Sequence, residues 1–267
     1  MKKSEILNRS LTALFLVLIL SSGLSSIAAP AAKQEYYEIK IYRISGKSQE
    51  AKVDAYLKDA YLPALHKAGI TKVMVTKPIE ADTAFGKYVY VFIPYKTIEQ
   101  YAQLPDLLAK DKVYAEAGKA FLDAPYNDPP YVRYETVLCK AFAGMPQFRV
   151  PNYTTPMSER IYEYRSYESA TDAKAANKRE MFNDGGEIAL FEKIGSNAVF
   201  YGEVISGSLM PRLIYVTTYA DMKSHDEHWK AFVEHPDWIK LKGQEEYLNS
   251  VSKNNTFLLH PASYSDF

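Results

Sequence analysis

Two stretches of this 267-residue chain, offset by about 125 positions, carry the same landmarks in the same order, and no other feature constrains the fold as tightly. Tyr37-Glu38-Ile39-Lys40-Ile41-Tyr42 stands against Tyr162-Glu163-Tyr164-Arg165-Ser166-Tyr167, sharing the tyrosine, acid, base and tyrosine. A helical stretch ending His66-Lys67-Ala68-Gly69 meets one ending Glu192-Lys193-Ile194-Gly195, and Val89-Tyr90-Val91 falls against Ile214-Tyr215-Val216. Each of the latter two is followed by a polar turn and an amphipathic stretch. The chain therefore reads as two copies of one unit of roughly 100 residues.

Hydrophobic periodicity gives each copy its elements. An alternating strand comes first, then a helix whose apolar positions in the first copy are Val53, Leu57, Ala60, Tyr61, Ala64 and Ala68, with Gly69 and Gly195 placed to stop such helices. Two strands follow, over 71–75 and 88–94 in the first copy and over 198–205 and 213–219 in the second. A second helical region, 98–122 or 222–248, leads to a closing strand, 135–142 or 256–260. This β-α-β-β-α-β order is the ferredoxin-like unit, an antiparallel sheet with both helices on one face. The other face is bare, and covering it gains about 25 cal/mol per Å². The two bare faces are expected to meet and close a pseudo-two-fold barrel within one chain, helices outside. The expected fold class is therefore α+β, tandem ferredoxin-like repeats, with the first repeat at 35–142, a linker carrying Pro146, Pro151 and Pro156 at 143–158, and the second repeat at 159–264.

Ahead of the first repeat, Lys2, Lys3 and Arg9 precede the apolar run Leu11 to Leu20, and small residues follow to Ala32. That order reads as a signal peptide over 1–31, which places the mature protein in the periplasm or outside the cell with no stable membrane span after cleavage. Charges balance, 32 basic against 32 acidic, so no global field draws the chain to nucleic acid. Cys139 is the single cysteine, so no intramolecular disulfide is available, and its apolar setting, Val137-Leu138-Cys139, suits a buried small hydrophobe.

From Glu159 to about Tyr264 the second repeat resembles a NIPSNAP domain. The resemblance is carried by Ile161-Tyr162-Glu163-Tyr164-Arg165-Ser166-Tyr167, by the string from Asn177 to Phe191 with Asn183-Asp184-Gly185-Gly186-Glu187 inside it, and by His228-Trp229-Lys230-Ala231-Phe232 with Pro236-Asp237-Trp238. The first repeat is a weaker relative, keeping Pro63-Ala64-Leu65-His66-Lys67-Ala68-Gly69-Ile70 but lacking the Gly-Gly and His-Trp elements. The resemblance implies a dimeric α+β barrel, here intramolecular. It implies little chemistry, because NIPSNAP-like proteins have no generally established reaction. The wider superfamily includes cofactor-free or haem-using monooxygenases, dehalogenating peroxidases and plain binding proteins.

Side chains alternate faces along a strand, so Glu38, Lys40 and Tyr42 point one way, as do Glu163, Arg165 and Tyr167. These faces are expected to line the barrel and form a ligand cavity; the competing reading puts them outside as solvated cross-strand pairs. Asn183, Asp184 and Glu187 form a polar ridge beside Gly185-Gly186, where a helix break or a close approach would explain two glycines in helical sequence. Tyr215, His228 and Trp229 complete the candidate cavity set, with Glu163, Arg165, Glu187 and His228 expected at one cavity. No metal site is expected, since His225, His228 and His235 lack a completing carboxylate or thiol at a recognised spacing. No cofactor is expected either; a haem reading would use His228 or His66 as its axial ligand.

The leading functional expectation is a protein that binds a small organic ligand in the barrel cavity. The alternatives are an oxygenase- or isomerase-type enzyme of the barrel superfamily, and an interaction module with a filled barrel and an exposed apolar patch. The expected state is a monomer with an internal pseudo-dimer, or a loose homo-oligomer. A phosphate-binding loop, a nucleophile elbow and a basic stripe are all missing from the sequence, which disfavours kinase, hydrolase and nucleic-acid roles.

Overall fold

The structure, a computed structural model, describes residues 32–267, which form one compact unit. The segment read as a signal peptide lies outside the described residues. The first repeat contributes β1 (Tyr36–Arg43), α1 (Lys47–Tyr56), α2 (Leu62–Lys67), β2 (Met74–Pro78), β3 (Tyr88–Tyr95), α3 (Ile98–Lys110), α4 (Lys112–Ala117), α5 (Lys119–Leu122) and β4 (Arg133–Ala141). The second contributes β5 (Ile161–Glu168), α6 (Asp172–Asn183), α7 (Glu187–Lys193), β6 (Asn197–Ser206), β7 (Arg212–Tyr219), α8 (Met222–Glu234), α9 (Pro236–Lys242) and β8 (Lys253–Pro261).

All eight strands close in the order β1-β3-β2-β8-β5-β7-β6-β4. Within each repeat the strands follow the ferredoxin-like order, β4-β1-β3-β2 and β8-β5-β7-β6, and two antiparallel seams, β2 with β8 and β4 with β6, join the halves. The second seam is close-packed, since a Cβ built on Gly202 would lie 2.8 Å from the Cβ of Cys139. The bare faces meet as the hydrophobic argument requires. Tyr37, Ile39, Phe92, Tyr162, Phe200 and Ile214 fill the lumen, and Phe148 packs beside Phe267 at one end, ring centroids 5.9 Å apart.

Helices cover the outer faces. In the first repeat α1 runs through a π-helical turn, Leu57–Tyr61, into α2 without a break. In the second repeat the matching helix is cut by Gly185-Gly186: Gly186 takes φ 93° as the residue before α7, and a Cβ on Gly185 would sit 2.7 Å from the Met181 carbonyl oxygen. The paired glycines are there for the break. Among the described residues no helix is long and apolar enough to cross a membrane.

The strand faces differ from the sequence expectation. Glu38, Lys40 and Tyr42, like Glu163, Arg165 and Tyr167, point away from the lumen and lie beneath the helices, while Tyr37 and Ile39, Tyr162 and Tyr164 turn inward. They are not solvated outside pairs either, since Glu38 and Glu163 are 4% and 2% exposed. A strand buried on both faces shows no alternation of burial to say which face is which, and the lumen took the aromatic and aliphatic set.

Candidate functional site

The outward face of the first repeat's sheet does not pack tightly against its helices. Between them lies a cavity of about 610 Å³, floored by Glu38, Lys40 and Tyr42 of β1, Tyr95 of β3 and Tyr134 and Thr136 of β4. Tyr56, Tyr61, Tyr101, Leu104, Pro105, Tyr114 and Phe121 form its walls. Glu38 is the polar centre. Its Oε2 accepts the Tyr95 hydroxyl at 2.6 Å, and its Oε1 takes Lys40 Nζ at 2.9 Å and the Thr136 hydroxyl at 3.4 Å. Tyr56 and Tyr114 share a hydroxyl hydrogen bond of 2.7 Å, and Phe121 stacks on Tyr56 at 3.8 Å between centroids. Burial, reinforced by the Glu38 charge, holds Tyr61 and Tyr95 well above the ordinary phenol range, so both remain neutral donors. The site thus offers phenol edges and faces around one paired carboxylate.

The second repeat shows what closes the same space. Strand registers set Glu38 opposite Ile93 and Glu163 opposite Thr217, which makes Tyr95 and Tyr219 equivalent. The next helices are capped by Thr97 and Asp221, and Pro105 and Trp229 stand at the same distance beyond those caps. Trp229 fills its side: Nε1 donates to Glu163, the Arg165 guanidinium lies 3.9 Å from the ring centroid, and Phe191 and Phe232 meet the ring at 5.8 and 5.5 Å. Pro105 has no such reach. The first repeat keeps the acid, base and tyrosine of the motif and lacks the indole that would plug them.

Glu163 accepts Arg165 Nε at 2.8 Å and His225 Nε2 at 3.2 Å besides the indole. Burial pushes its carboxyl up, but the His225 and Arg165 contacts outweigh that and hold it below the usual carboxylate range. For His225, burial acts downward and the hydrogen bonds to Glu163 and Asp226 prevail, raising it. Arg165 also donates to the Tyr167 hydroxyl at 3.2 Å, which in turn bonds Tyr215 at 2.8 Å.

The remaining sequence candidates do not share one cavity. Glu187 pairs with Lys178 at 2.7 Å, both buried, and burial raises its carboxyl against the pull of Lys178. Asn183 holds the linker, its Oδ1 accepting Gly144 N at 2.8 Å. His228 bonds Ser224 at 3.2 Å and faces the Gly195 turn. Of the residues named from sequence, Glu38, Lys40 and Tyr42 line the open cavity; Glu163, Arg165, Tyr167, Tyr215 and Trp229 form the plugged counterpart. His66 binds Asp266 at 3.0 Å on the surface, so neither histidine considered for haem faces the cavity, and the residues present do not fit that group there. His235 caps α9, and no convergent group of three or more metal-binding side chains occurs among the described residues. Cys139 sits in the lumen, its thiol pushed up to about 12 by burial, unsuited to nucleophilic work. Sequence reasoning missed Tyr56, Tyr95, Tyr134 and above all Pro105; setting Pro105 against Trp229 between the copies was the available signal.

A closed eight-stranded barrel with both ferredoxin-like halves in one chain defines the class, an intramolecular α+β barrel of the dimeric type. Residues 162–266, within the second repeat, match the NIPSNAP family. Among solved structures, the fold resembles a candidate monooxygenase from Lactobacillus acidophilus, at 11% identity and TM-score 0.55 over 86% of this chain and 94% of that one. One from Fusobacterium nucleatum gives 9% and 0.56 over 86% and 93%, and an anthrone oxidase-like protein gives 8% and 0.52 over 87% and 93%. Identities this low establish a shared fold alone. No curated protein matches the sequence.

Proposed function

We propose that this protein binds a small planar organic molecule in the first repeat's cavity, its aromatic body between tyrosine rings and a hydrogen-bond donor directed at Glu38. The carrying observation is the cavity of about 610 Å³ at the position that Trp229 plugs in the other repeat. That volume falls in the range of small-molecule sites, about 300–1,000 Å³, and its walls are apolar and aromatic around few polar groups. The order of basic, apolar and small residues ahead of Ala32 supports action outside the cytoplasm, in the periplasm or beyond. Closure of both ferredoxin-like halves in one chain supports a monomer.

Native mass spectrometry on protein from the exported fraction, followed by calorimetric titration with planar phenols and aryl amides, tests the reading. A saturable one-to-one complex that is lost in Pro105→Trp supports it; an empty protein that binds nothing in the panel refutes it.

An enzymatic reading of the same cavity rests on Glu38, a buried carboxylate facing the ligand space and able in principle to accept a proton. Lys40 and Tyr95 already occupy both of its oxygens, which favours binding over proton abstraction. Oxygen uptake or product formation with a bound ligand, absent in Glu38→Gln, is the result that would favour the enzyme.

A further inference from the structure

Among the buried lumen residues Arg212 is the one charged side chain, set among apolar and hydroxyl-bearing groups. Arg212 opens β7 opposite Glu168, and β7 alternates from there: Leu213 and Tyr215 lie under the helices, Ile214 and Val216 in the lumen, so Arg212 also turns inward. It is 5% exposed, and its Nε and Nη2, the two nitrogens along one edge of the guanidinium, meet no protein acceptor; nor does the Oγ of Ser166, which faces the lumen from β5. Glu168 does not pair with it, since its Oε1 takes Asn255 Nδ2 at 2.9 Å and lies 3.9 Å from Lys253 Nζ. Leaving a guanidinium buried and unpaired is costly, and such groups are ordinarily paired or used on a ligand.

The two barrel ends differ. Phe148 and Phe267 close the end where β1 and β5 begin. At the end where they finish, near Arg212, the lumen-facing Ile41, Tyr88 and Phe257 are only partly buried. Tyr88 is the first repeat's counterpart of Arg212, since it opposes Arg43 as Arg212 opposes Glu168.

We propose that Arg212 anchors a second ligand site at this open end, taking an organic monocarboxylate whose two oxygens meet the Nε–Nη2 edge while its apolar body lies against Ile41, Tyr88 and Phe257. An edge-on guanidinium presents two parallel N–H groups that match a carboxylate. Phosphate fits worse, because beyond the Arg212 edge it would meet only uncharged hydroxyls such as Ser166 Oγ, and no second buried cation in the lumen to serve its additional charge. The rim carboxylate Glu135, held by Ser208 at 3.0 Å, further disfavours a dianion.

The test is calorimetric and thermal-shift titration of the mature chain with sodium benzoate, its neutral isostere benzamide and inorganic phosphate. The wild type should bind benzoate saturably at this site and be stabilised by it, with no response to phosphate, and in the Pro105→Trp background, where the first repeat's cavity is filled, benzamide should give no response. Arg212→Met should lose the response while remaining at least as stable as the wild type without ligand, because the substitution removes an uncompensated buried charge. Arg212→Lys, which keeps the charge but not the fork, should bind at least about tenfold more weakly. Pro105→Trp should bind benzoate as the wild type does, which separates this site from the cavity of the first repeat. Equal benzoate binding by wild type and Arg212→Met, no benzoate binding by the wild type, or preference for phosphate would each overturn the proposal. So would a destabilised Arg212→Met, which would make Arg212 a structural partner of the protein itself.

Discussion

Trp229 touches a carboxylate, a guanidinium and two phenyl rings at once, so its removal should cost far more than an average side chain. Trp229→Ala is expected to lose about 3–5 kcal/mol in urea denaturation, and a loss under about 1 kcal/mol would mean the indole is not a structural plug. Lys178 and Glu187 make the sharper contrast. Glu187→Gln leaves the Lys178 ammonium buried without its counter-charge and should cost about 3–5 kcal/mol, whereas Lys178→Met combined with Glu187→Leu should be near neutral. Both can be read by the same denaturation. The His225–Glu163 pair gives a pH signature. Folding raises His225, so its contribution is complete below the ordinary value of 6.5 and is lost as pH rises through the raised folded value. Folding lowers Glu163, so its contribution is present above its ordinary value of 4.5 and fades as pH falls through the lowered one. Stability against pH should therefore fall on the alkaline side of 6.5 in the wild type and lose that fall in His225→Gln. An unchanged profile would contradict the pairing.

At the level of elements, the break between α6 and α7 is one of the two readings that Gly185-Gly186 offers in the sequence, the other being a close approach, and the structure shows the break. Gly186 holds φ 93°, a left-handed conformation that costs a residue with a Cβ about 1–2 kcal/mol. Gly186→Ala should lower stability by that amount, and a thermal melt showing no loss would mean the turn can relax. The unbroken helix of the first repeat, with its π-helical turn at Leu57–Tyr61, carries no comparable mark. Strands were read to within a few residues at their ends, but two features of them were not legible. The helix-side and lumen-side faces are both buried, so alternation grouped Glu38 with Tyr42, and Glu163 with Tyr167, without saying which way either group points. Tyr90 and Tyr215 look equivalent in sequence, yet the registers make Val91 the counterpart of Tyr215: Lys40 opposes the first, Arg165 the second. A one-residue slip exchanges faces, and Tyr90 accordingly fills the lumen while Tyr215 lies under the helices.

For the whole molecule, the repeat and the bare-face argument led to the closed barrel because apolar burial on that scale admits few alternatives. The open site was less legible, since it depends on a residue too small to fill its place rather than on a motif. One lumen core is built from both repeats, so they should unfold together. Both tryptophans, Trp229 and Trp238, lie in the second repeat, which makes the check direct. Their fluorescence and the far-ultraviolet circular dichroism of the whole chain should give coincident denaturation midpoints, and separated midpoints would mean two independent domains. The central claim is that the first repeat binds where the second is plugged. It is tested most directly by calorimetric titration of p-cresol and the wider planar phenol panel into wild type and Pro105→Trp. The account predicts a saturable one-to-one complex with the wild type, and none with a Pro105→Trp variant that melts no lower. No binding to the wild type, or equal binding to both, would contradict it.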